Sequence, residues 1–131
     1  MINFNDSPVL WALLCRHAGF IDDGYMFHGE FSRAAPVGGF PYRPEHIYYT
    51  ARLMRNPFYE GIAECLILIN NPQGNPIVAS DKFLYSERFL QEFKDVTYPV
   101  PGIYTFNLFI ATKQVHRINF LLERHNEARH G

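Results

Sequence analysis

His28, Gly29 and Glu30 place an imidazole and a carboxylate two residues apart. On an extended strand both would project from one face, about 7 Å from each other. His46 falls at the start of another strand-like stretch. A His28–Glu30–His46 set has the donors for a metal ion, and so for a small metal-dependent hydrolase or lyase on a β-scaffold. The spacing lacks a tight motif such as H-x-x-x-H, and alternating polar residues ordinarily face solvent. No metal is therefore expected. His17 with Asp22 and Asp23 is a second acid–base group on paper, but Asp22-Asp23-Gly24 reads first as a hairpin turn. Ser7, Ser32, Ser80 and Ser86 lie outside any Gly-x-Ser-x-Gly elbow. Gly38-Gly39 has no Lys-Ser or Lys-Thr after it to cradle a phosphate. The sequence thus predicts no catalytic residue and no cofactor.

Residue types suited to binding are easier to find. The stretch Ala34 to Glu45 holds three prolines, two glycines, Phe40 and Tyr42. Phe40, Tyr42 and Arg43 are of the kinds that anchor protein interfaces, and the prolines would lower the entropy cost of docking. The competing reading is that Phe40 and Tyr42 fold back and cap the core. Tyr48 and Arg52 alternate with apolar neighbours and, with His28 and Glu30, make a polar strand face. Tyr48, Arg52 and Phe109 together would suit an RNA-binding sheet. Twelve basic against thirteen acidic side chains, a net charge of -1, argue against nucleic acid as the partner.

The elements that must position these residues read as strands. His46 to Met54 alternates strictly, with Ile47, Tyr49, Ala51 and Leu53 on one face. Tyr25 to Arg33 repeats the pattern more loosely. Gly61 to Asn70 is nearly all apolar and reads as a central strand covered on both sides. Asn71-Pro72-Gln73-Gly74 is a β-turn that folds Pro76 to Tyr85 back as a hairpin. Ile103 to Ala111 and Gln114 to Glu123 form another, joined by Thr112-Lys113. Pro8 to His17 reads as a strand over a competing helix, and Ser86 to Lys94 fits either period. Pro101, Gly102 and Tyr104 suggest a tyrosine corner, with the phenol bonding back to nearby backbone.

The 131 residues contain 47% apolar and 19% charged side chains, enough for one well-cored domain and too apolar for disorder. Residues 1–123 are expected to form it, with 124–131 as a polar tail. Twelve Phe and eight Tyr favour strands. Residues 1–20 show no leader pattern, and their longest apolar run, Val9 to Cys15, is too short to span a bilayer. The expectation is a cytoplasmic protein with no membrane partner. Cys15 and Cys65, set among apolar residues, are then buried thiols rather than a disulfide.

Two stretches carry a resemblance: Glu60 to Gly74, a strand running into Asn-Pro-x-Gly, and Tyr98 to Ile110, with Pro-Gly-x-Tyr-x-Phe leading into a late strand. With Leu14-Cys15 and Asp22-Asp23-Gly24 they resemble a family of small bacterial all-β domains of unknown function, over about residues 8–123. The resemblance implies a single β-sandwich and no catalytic residues. The loop at 34–45 and the bulky segment 83–93 depart from that pattern. The immunoglobulin family fits poorly, because Trp11 precedes both cysteines instead of lying between them.

These readings combine into an all-β, mainly antiparallel β-sandwich of seven or eight strands with at most one short helix. Its expected role is a non-enzymatic interaction module binding a protein partner or a second copy, through Phe40, Tyr42, Arg43, Tyr48 and Arg52. Edge strands favour a homodimer. The alternatives are the metal-dependent enzyme using His28, Glu30 and His46, and a small-ligand-binding sandwich with an aromatic-lined cavity.

Overall fold

The computed structural model describes residues 8–21, 24–28 and 32–125, with backbone alone for 17–21 and 24–28. The expected turn at Asp22-Asp23 and the expected site residue Glu30 lie outside the described residues. The elements among the described residues are strands: β1 (Val9–Cys15), β2 (His17–Ile21), β3 (Gly24–His28), β4 (Arg33–Ala34), β5 (His46–Leu53), β6 (Glu64–Asn70), β7 (Pro76–Ala79), β8 (Phe83–Leu84), β9 (Arg88–Lys94), β10 (Gly102–Ile110) and β11 (Lys113–Leu122). They form a three-stranded sheet β1-β5-β9, a six-stranded sheet β4-β11-β10-β6-β7 with β8 also on β6, and the hairpin β2-β3. The chain is therefore all-β. It differs from the expected form in having eleven strands among the described residues, and in β4 running parallel to β11. That parallel pair is closed by Arg33, whose Nε and Nη2 both reach the Glu123 carboxylate at 2.9 Å.

The two larger sheets share one core. In β5, Ile47, Tyr49, Ala51 and Leu53 are fully buried and His46, Tyr48 and Arg52 line the other face, but Thr50, expected among these polar residues, is also buried and donates to the Phe89 carbonyl. From β6 and β10 come Cys65, Ile67, Ile69, Tyr104, Phe106, Leu108 and Ile110. Phe93 of β9 meets Phe106 of β10 edge to face at 5.5 Å, stitching sheet to sheet. Leu66 and Leu68 are only half buried, so β6 is covered on one side, not on both as its apolar run suggested. Pro8 to His17 and Ser86 to Lys94 both resolve as strands, because β1 and β9 pair with the two edges of β5.

The turns follow their chemistry. Asn71 caps the β6–β7 turn, its Oδ1 accepting from the Gln73 and Asn75 N–H groups. The β10–β11 turn falls on Ala111 and Thr112, at φ of 49° and 69°, one residue earlier than the sequence suggested. Tyr104 makes the expected corner, its hydroxyl donating to the Val100 carbonyl at 2.7 Å. Gly102 before it sits at φ 136°, and a Cβ there would come within 2.6 Å of the Pro72 ring. Only glycine fits both demands.

Candidate functional site

The expected interface residues occupy two settings. Phe40 and Tyr42 are partly buried and pack against the core. Tyr42 is bridged to Tyr98 by two backbone hydrogen bonds of 2.9 and 2.7 Å, and Arg43 Nε donates to the Asp95 carbonyl. The loop is thus held down at its C-terminal end. Tyr48 and Arg52 lie on the outer face of β5, in register with Glu92 and Arg88 of β9. Tyr48 stacks on His46 at 5.8 Å, and burial with the Glu92 carboxylate raises its phenol above the usual range. His46 Nδ1 is 3.1 Å from Glu92 Oε1 and its Nε2 is 3.6 Å from Glu45 Oε1. Glu30 and the His28 side chain of the His28–Glu30–His46 set fall outside the described residues. Among the described residues no three potential metal ligands converge. Phe109 belongs to β10 of the six-stranded sheet and does not share the face of Tyr48 and Arg52.

A second surface has no counterpart among the expected sites. The turn after β5 displays Phe58 at 73% exposure and Ile62 at 71%, and Leu84 of β8 is 53% exposed. The turn is ordered by the Asn56 carbonyl, which accepts from Tyr59 and Glu60 N–H, and by Asn56 Oδ1, which accepts from Phe58 N–H. Gly61 donates to the Tyr85 carbonyl and Tyr85 to that of Ala63, which seats the turn beside β8. The only cue in the sequence is Asn56-Pro57, a turn signal between two strand-like segments.

The third region is the outer face of β6, β10 and β11. Asn107 points out from β10, opposite to Phe106 and Leu108, yet is 1% exposed. Its Nδ2 donates to the carbonyls of Leu68 and Thr105 and to Thr105 Oγ1, at 3.1 to 3.3 Å. Its Oδ1 accepts from Gln114 Nε2 at 3.2 Å and from Arg117 Nε at 3.0 Å. Residues 114 and 117 are three apart and would face opposite sides of a regular strand. A bulge removes the conflict: Leu108 pairs with His116 but Phe109 pairs with Gln114, so Val115 is the added residue. Among the described residues no carboxylate pairs with Arg117.

Two residues along β10 from Asn107, Phe109 borders a cavity of about 250 Å3, lined also by Glu64, Cys65, Leu66, Lys82 and Thr112. Lys82 and Glu64 face each other at 3.6 Å on its exposed rim. Cys65 contributes no nucleophile, because burial pushes its thiol pKa up to about 12. On the inner face, Tyr49 Oη lies 3.4 Å from His116 Nδ1, and burial lowers the His116 pKa.

The chain is thus an all-β protein with an ordered apolar turn and, separately, a buried amide organising a polar face. No family model matches it, and no characterised protein resembles it in sequence. No helix among the described residues is long and apolar enough to cross a membrane.

Proposed function

We propose that the protein is a non-enzymatic interaction module that binds a protein partner or a second copy of itself. The observation that carries this reading is the exposure of Phe58 and Ile62 on a turn fixed by its own hydrogen bonds, next to the exposed Leu84. Large apolar groups held in place by an ordered backbone lose little entropy on docking. The same reading takes the two larger sheets as the faces of a β-sandwich. It keeps the likeness to small bacterial all-β domains, carried by residues 60–74 and 98–110, and sets the protein in the cytoplasm. Arg43, Tyr48 and Arg52 extend the contact surface in this proposal. Phe40 and Tyr42 support the loop from beneath.

Sedimentation velocity over a wide concentration range, combined with affinity capture and mass spectrometry, tests the proposal. The wild-type chain should either self-associate or retain one near-stoichiometric partner, and Phe58→Ser with Ile62→Ser should abolish the complex. Phe40→Ala with Tyr42→Ala should lower the melting temperature. A monomer at every concentration, with the same co-purifying proteins before and after the Phe58/Ile62 change, would overturn the reading. The small-ligand alternative is favoured by one observation of its own, the cavity beside Phe109.

A further inference from the structure

We propose that the outer face of β6, β10 and β11 binds a small amphipathic carboxylate, an aryl or short-chain acid. Its apolar body would lie against Leu66 and Phe109, and its carboxylate on the terminal nitrogens of Arg117. The proposal is argued from different residues than those of the Phe58 turn.

Three features of the chain converge on this chemistry. The first is the arginine. Its Nε is held by the buried Asn107 at 3.0 Å, and no carboxylate among the described residues neutralises it. A guanidinium fixed at Nε presents Nη1 and Nη2 as a fork, and that fork matches a carboxylate in two parallel hydrogen bonds. The second is Gln114. The bulge at Val115 brings it to the same oxygen of Asn107. Its amide nitrogen keeps one further N–H for a ligand. The third is the cavity, about 250 Å3 and walled by Leu66 and Phe109. An apolar cavity of roughly 150 Å3 already holds a benzene ring.

The spacing sets the ligand. Asn107 and Phe109 are two residues apart on one face of β10, about 7 Å. A ring seated against Phe109 must therefore carry its carboxylate on a linker of a few carbons. Lys82 lines the cavity itself, but Glu64 offsets its charge. Arg117 is the cation left for an anion.

The test uses 4-phenylbutyrate as the probe, with 4-phenylbutyramide to remove the charge and butyrate to remove the ring. Binding is followed through the Arg117 Nε–H and Gln114 side-chain amide resonances. Saturable shifts at both, with each analogue about tenfold weaker, are expected. Arg117→Met should weaken 4-phenylbutyrate about tenfold. Leu66→Trp, which fills the cavity and leaves the arginine in place, should also exclude the ring. Melting temperatures confirm that each variant is folded. Phe58→Ser with Ile62→Ser should leave the probe's affinity unchanged, so loss of the interaction-module reading would not touch this one. Absence of saturable shifts at millimolar probe, or equal affinity in folded Arg117→Met, would overturn the proposal.

Discussion

Arg117 donates through Nε to Asn107 Oδ1 at 3.0 Å, across two paired strands and onto a side chain that solvent does not reach. A buried amide on the outward face of a sheet is costly unless each polar atom finds a partner. Here both ends of Asn107 do, and the same bonds that satisfy it orient the arginine and the glutamine.

Asn107→Ala should therefore destabilise the fold by about 1–3 kcal/mol, since it strips donors and acceptors from a buried site. Urea denaturation measures the loss. The Arg117 Nε–H resonance should move toward its solvent-exposed position in the same variant.

Gly102→Ala should cost about 1–3 kcal/mol, through the φ of 136° and the contact with Pro72. Repeating the substitution in a Pro72→Ala background should recover the steric part and leave the backbone part. A double-mutant cycle separates the two, and full additivity would show that the added methyl and the proline ring never meet.

Stability should fall with acidification through His116. Burial lowers its pKa below the ordinary 6.5, so between the two values the unfolded chain binds more protons than the folded one. The contribution is present above about pH 6.5 and is lost as the pH drops through the folded value. Urea midpoints measured from about pH 7 to about pH 5 should decline less steeply in His116→Gln.

Cys65 should resist alkylation by iodoacetamide at about pH 8 while the protein is folded. It is 1% exposed and its thiol pKa is pushed up to about 12. Modification should appear only with unfolding, as mass spectrometry of urea-pulsed samples would show.

Much of the scaffold is legible in the sequence because strand burial has period two. Alternation alone assigns Ile47, Tyr49, Ala51 and Leu53 to one face, and Pro101-Gly102 with Tyr104 specifies a corner that the hydroxyl of Tyr104 makes. Ser86 to Lys94 is ambiguous for a definite reason. Phe89 and Phe93 are four apart, a spacing that puts them on one side of a helix and one side of a strand alike. Pairing with β5 decides it.

The polar face is illegible for another reason. Asn107 sits at an outward position and reads as ordinary solvated surface. Its burial comes from chain segments on other strands, which no local pattern reveals. Gln114 and Arg117 look unrelated, because odd spacing puts strand residues on opposite sides. Phe58 belongs to a turn, and turns are expected to be polar. Phe40 and Tyr42 stand out by type, and type alone does not say whether an aromatic ring faces partner or core.

The added residue at Val115 also constrains how the β10–β11 hairpin can change length. Removing Val115 itself would restore a regular ladder and leave Gln114 opposite Phe109, now two residues from Arg117 and on the same side of the sheet. Loss of Val115 should therefore be the single-residue shortening this hairpin accepts most readily, which deep deletion scanning of residues 108–118 would expose directly.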